Sequence, residues 1–145
     1  MALLDSAVDI QELGQRNLWV LYGKSNSGKT HVASTFPKTL LYLQIGDDGS
    51  NTIAHVEGIS AISISSVQEL KDIAKELLKD KKYVTVVVDT FSLMVNEWTD
   101  QNVISKNKKM TQQLWGELKT ETEEVIKAMH KVAKRHIVVL TCHES

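Results

Sequence analysis

Four stretches of this chain are apolar almost from end to end: NLWVLY (17–22), TLLYLQI (39–45), YVTVVVD (83–89) and HIVVLT (136–141). A strand with one wet face alternates polar and apolar residues. A strand covered on both faces does not, and uninterrupted runs of this length are its signature. A fifth run, SAISIS (60–65), does alternate and predicts a strand with one wetter face. The stretches between are helical in pattern. Residues 29–36 predict a helix stopped by Pro37, the only proline. Ser66 and Glu69 have capping-box spacing, with Glu69 expected to reach back to the Ser66 amide. The helix they open places Val67, Leu70, Ile73, Ala74, Leu77 and Leu78 on one face. KDKK (79–82) turns the chain, 91–104 reads as helix, and SKNKK (105–109) is a polar break. A long helix over 111–134 is expected to bury Leu114, Trp115, Leu118, Val125, Ile126, Met129, Val132 and Ala133, and Trp19 and Trp98 are expected in the core.

Buried strands alternating with amphipathic helices predict an α/β fold, a mostly parallel sheet with helices on both faces, in one domain over residues 1–145. Residues 1–16 form a weakly structured lead-in. Ligands of such sheets bind beyond the carboxyl ends of the strands. That rule groups Gly23–Thr30, Gly46–Asp48, Asp89–Thr90 and Thr141–Glu144.

The first group fits G-x-x-x-x-G-K-[ST] at every position: Gly23, Lys24, Ser25, Asn26, Ser27, Gly28, Lys29 and Thr30. Gly23 and Gly28 can take positive φ and let main-chain amides close on a phosphate. Lys29 supplies a full charge to the β- and γ-phosphates of ATP, and the Thr30 hydroxyl is a hard oxygen for Mg²⁺. Lys24, Ser25 and Asn26 serve loop solubility as well as contact. Asp89 closes the run VTVVVD and is the carboxylate for that Mg²⁺. It or Thr90 also suits a helix cap. Asp47, just past the second strand, is the candidate that activates water, although GDDG is also a common turn composition. His143, past the last strand, is placed to sense the γ-phosphate.

Composition narrows the partners. The formal net charge is −1, so no global positive field draws the chain to nucleic acid or membrane. No apolar run approaches the roughly 18 residues of a membrane span, the start lacks a signal-peptide pattern, and the one cysteine, Cys142, fits a reducing cytoplasm. His31, His55, His130 and His136 show no metal-ligand spacing. The only arginines are Arg16 and Arg135, so a site needing several cannot come from this chain alone.

With these pieces in place, GKSNSGKT, VVVDTFSLM, LLYLQIGDDG, QLWGEL and VVLTCHE together resemble a RecA-like P-loop ATPase core. More narrowly, they resemble the small phage nucleotide-binding proteins of the annealing-associated recombinase group, over about residues 18–144. The resemblance implies Lys29 and Thr30 as phosphate and Mg²⁺ residues, Asp89 as the second-motif acid, Asp47 as base and His143 as sensor. It implies that the 136–141 strand lies between the 18–22 and 83–89 strands. It also implies homo-oligomers with ATP near subunit interfaces, single-stranded DNA as effector, a single-strand-binding protein as further partner and a bacterial host cytoplasm. Members of that group continue past the TCHE equivalent, so a C-terminally truncated core is expected, with the 18–22 strand left as an apolar sheet edge. They generally carry Glu where this chain has Asp47. Two other readings share the phosphate loop. A small-molecule or nucleoside kinase usually closes an arginine-rich lid, for which this chain lacks the residues. A nucleotide-binding assembly protein would use ATP as glue with little turnover.

Overall fold

Each apolar run becomes a strand of one sheet. The computed structural model describes residues 3–9, 17–24, 28–46, 54 and 56–143. Its strands are β1 (Leu18–Gly23), β2 (Leu40–Ile45), β3 (Ile59–Ile64), β4 (Thr85–Asp89) and β5 (Ile137–His143). Its helices are α1 (Lys29–Ser34), α2 (Val67–Leu77), α3 (Leu93–Thr99) and α4 (Gln112–Val132), with α3 widening into a π-helical turn at Asp100–Ile104. The strand order is β1-β5-β4-β2-β3 and every pairing is parallel. β5 therefore lies between β1 and β4, and β1 is an edge strand among the described residues.

Position in the sheet explains the sequence patterns. β4 is buried at all of its residues, and β2 at all but Gln44, as unbroken runs require. β3, at the other edge, exposes most of its alternating run. One face of the sheet presents Leu41, Leu43, Val86, Val88, Val138 and Leu140 to α2, α3 and α4. The opposite face presents Leu40, Tyr42, Val87 and Val139 to α1 through Ala33. Burying each such large aliphatic side chain contributes about 1.5–3 kcal/mol, so the three-helix face carries most of the hydrophobic stabilisation.

The helix ends show where the sequence logic holds and where it shifts. Ser66 Oγ accepts from the Glu69 amide at 3.2 Å. The Glu69 carboxylate turns to Ser65 instead of Ser66, accepting from its amide at 2.9 Å and its hydroxyl at 2.7 Å. The Ser65 hydroxyl adds a second donor that the Ser66 amide alone would not offer. Thr111 caps α4 by accepting from the Leu114 amide at 3.2 Å. Lys71 of α2 joins α4 through Glu121 at 2.5 Å and Glu124 at 2.6 Å.

Two tryptophans depart from expectation. Trp98 is buried, but Trp115 is 59% exposed and Trp19 is 53% exposed. Leu118, Val125, Met129 and Val132 form the row that meets the sheet. Trp115 and the partly uncovered Ile126, also expected in the core, sit beside that row, on the flank turned away from Glu121, Glu124 and α2. Trp19 belongs to the edge strand, where its ring meets Phe36 edge-on at 5.9 Å. A helical or strand pattern ranks faces but does not report how wide the surface opposite them is.

Candidate nucleotide site

β1 ends at Gly23 and α1 starts at Lys29, so the phosphate loop bridges a strand end and a helix start. Gly28 takes φ +91°, a left-handed conformation that side chains disfavour. Gly23 does not take positive φ. It is the last residue of β1, paired with His143 of β5, and pairing keeps its backbone extended. The Lys29 ammonium folds back over the loop and donates to the carbonyls of Gly23 at 2.8 Å and Lys24 at 2.6 Å. The charge is thereby held above the main chain that would line a phosphate.

Thr30 connects this loop to the second motif. Its hydroxyl donates to Asp89 Oδ2 at 2.8 Å, across 59 residues of sequence. Sheet order brings the two together: β5 alone separates β1 from β4, and all three end on the same side. Asp89 is 4% exposed and its carboxylate is surrounded by hydroxyls. Tyr42 shares Oδ2 with Thr30, while Oδ1 accepts from Thr90 at 2.9 Å and from Thr141. The helix that follows starts from Ser92 without a side-chain cap, so neither Asp89 nor Thr90 is spent on capping. Both point into the cluster instead.

Burial by itself raises the Asp89 carboxyl, yet hydroxyl donors from Thr141, Tyr42, Thr30 and Thr90 outweigh it and hold the group below the usual aspartate range. The carboxylate is thus kept anionic where a cation would sit. Its folded pKa being depressed, the unfolded chain binds the proton more readily. The stability this cluster confers is present above about pH 4 and is lost as pH falls through the folded value. Tyr42→Phe removes one donor to a buried anion and is expected to cost about 1.5–3 kcal/mol at pH 7. Chemical denaturation at stepped pH measures it; the deficit should shrink in acid, and a pH-independent deficit would mean that only packing was lost.

Thr30 and Asp89 offer the hard oxygen donors that Mg²⁺ takes, and a bound Mg²⁺ would neutralise phosphate charge there. Among the described residues no three His, Cys, Asp or Glu side chains gather to hold a metal by themselves, and Mg²⁺ held mainly by substrate phosphates needs no such cage.

His143 lies beside the loop through its pairing with Gly23. Its amide donates to Ser92 Oγ at 3.1 Å, and its Nδ1 is buried with no hydrogen-bond partner among the described residues. Cys142 next to it has its thiol pushed up by burial, with the Lys29 charge acting in the opposite direction. Gly46 follows β2 with φ +79°, a backbone conformation that strains any L side chain, and a Cβ there would press on Leu93 Cδ1 at 2.6 Å. Asp47 and Asp48, together with Ser25, Asn26, Ser27 and Glu144, lie outside the described residues. Arg135 is remote: it donates to the Leu78 carbonyl at 2.8 Å, at the amino-terminal edge of the sheet. The sequence reading passed over Tyr42 and the role of Thr141. The available signal was a phenol inside the apolar run LLYLQI, whose hydroxyl must find a partner once buried.

A protein-family profile described as an AAA domain matches residues 16–145. The chain belongs to the AAA domain family. Its parallel α/β sheet with flanking helices is the P-loop NTPase architecture of that AAA domain. Among solved structures, it is similar to the pCW3 conjugation coupling protein TcpA, monomer form with ATPγS, at 12% identity and a TM-score of 0.45. That match covers 90% of this chain and 43% of TcpA, so the AAA domain here spans less than half the length of that protein. A search of curated proteins found no match. No described helix is long and apolar enough to cross a membrane.

Proposed function

We propose that this AAA domain binds Mg²⁺-ATP in the Gly23–Thr30 loop, hydrolyses it, and couples turnover to single-stranded DNA, as a RecA-like core of the annealing-associated recombinase type. The observation that carries the ATP part is the 2.8 Å bond from Thr30 to Asp89, which joins the two nucleotide motifs into one site. The coupling to DNA rests on the resemblance of GKSNSGKT, VVVDT and VVLTCHE to that group.

The chemistry is displacement at the γ-phosphorus by water, with ADP leaving. Lys29 holds the phosphate oxygens on which charge builds, and the amides of the loop position them. Asp47 takes the proton of the attacking water. His143, paired with the start of the loop, senses loss of the γ-phosphate and passes it to α3 through Ser92. Arg135 is engaged at the far edge, and an arginine from another copy across a subunit interface would supply the stabilisation it does not.

Phosphate release with and without oligothymidylate tests the reading. Stimulation by the oligonucleotide supports it. Transfer to a small acceptor would assign a kinase, and tight ATP binding without release would assign an assembly role. Asp47→Asn should keep ATP affinity and slow hydrolysis at least tenfold, about 1.4 kcal/mol of barrier. An unchanged rate removes Asp47 from the mechanism.

A further inference from the structure

A group of cations lies away from the phosphate loop, between the two helices that cover one face of the sheet. A groove of about 350 Å³ runs between α2 and α4, with Lys71 and Lys75 on one wall and Lys127 and Lys131 on the other. Each pair is four residues apart, so its charges repeat about every 6 Å along a helix. Lys71 is neutralised by Glu121 and Glu124. Lys75, Lys127 and Lys131 are exposed and form no salt bridge among the described residues.

The groove does not end there. Leu78 forms part of it, and the Leu78 carbonyl accepts from Arg135. Arg135 in turn borders a second cavity of about 450 Å³ with Lys81, Tyr83 and one carboxylate, Asp80, which also accepts from the Lys82 and Tyr83 amides. Lys82 lies over the Tyr83 ring at 5.2 Å. The cations outnumber the two lining acids, Glu124 and Asp80, and run through two cavities linked by the Arg135–Leu78 bond, on a chain whose net charge is −1. Like charges brought together repel, and a polyanion relieves that repulsion while releasing counterions. The length of the track exceeds a pocket for one acidic side chain. Lysines are compact charges that meet phosphates without demanding base sequence. Leu78 and Ala128 give the groove a partly apolar floor between the charged walls.

We infer that this track binds the sugar–phosphate backbone of a single-stranded nucleic acid. The assignment rests on the reading that turnover is coupled to single strands, and it places the strand on the side away from ATP.

The test is fluorescence anisotropy of labelled oligothymidylate with the full chain between about 50 and 200 mM salt. The variant K75E/K127E/K131E should bind at least tenfold more weakly. Its log–log salt slope should be shallower by about 2, since each lost phosphate contact removes about 0.7. ATP binding, and K108E/K109E as a control, should match the parent. K75Q/K127Q/K131Q gives the same comparison if charge reversal disturbs folding. Unchanged oligonucleotide affinity in both triple variants overturns the track. So does binding of an oligoglutamate peptide, but not of oligothymidylate, by the parent. If oligothymidylate still stimulates hydrolysis in the triple variants as in the parent, the location fails and the coupling stands. If it neither binds nor stimulates the parent, both fail.

Discussion

Lys29→Ala is expected to fold like the parent and to lose ATP hydrolysis by at least about a hundredfold, roughly 2.7 kcal/mol of transition-state stabilisation. The fold should survive because the ammonium's described hydrogen bonds go to the loop carbonyls of Gly23 and Lys24, and neither residue lies inside the hydrophobic clusters. Those carbonyls can turn to water. Circular dichroism and a thermal melt establish folding, and labelled-ATP binding with phosphate release reads the site. Hydrolysis within threefold of the parent in a folded Lys29→Ala protein would remove the loop from the chemistry.

Asp89→Asn should have an effect of similar size for a different reason. Four hydroxyls converge on this carboxylate. An amide keeps the shape but replaces one acceptor oxygen by a donor, and it carries no charge for a divalent cation. Mg²⁺-dependent hydrolysis is expected to fall at least about a hundredfold. Stability is expected to fall by about 1–3 kcal/mol, because donors at one oxygen lose their acceptor at a position 4% exposed. A Mg²⁺ titration of activity together with denaturant unfolding measures both. Retained Mg²⁺ dependence with a stability loss alone would make Asp89 a structural anchor and not a metal residue. Tyr42→Phe separates the roles further, since it weakens the cluster without touching the carboxylate itself.

The two nucleotide motifs were legible because each is local. Eight consecutive residues define the loop, and a β-branched run ending in an acid defines Asp89. The strands were legible because burial on both faces leaves no polar residue to alternate. Tyr42 and Thr141 were not, since their importance depends on which oxygen they meet across β2, β4 and β5. Trp19 and Trp115 were misplaced for a related reason: hydrophobicity says that a side chain would gain from cover, not that a neighbour exists to cover it.

By itself, then, the sequence determined the alternation of strands and helices, the glycine-bracketed segment between β1 and α1 and the acid that closes β4, since short-range pattern and steric freedom encode all three. Only the tertiary structure decided that Thr30 meets Asp89 within a ring of hydroxyls, and that scattered lysines on α2, α4 and the turn before β4 line one side of the domain. Those facts follow from strand order and helix docking, which are set by the packing of the whole chain and are written in no single segment of it.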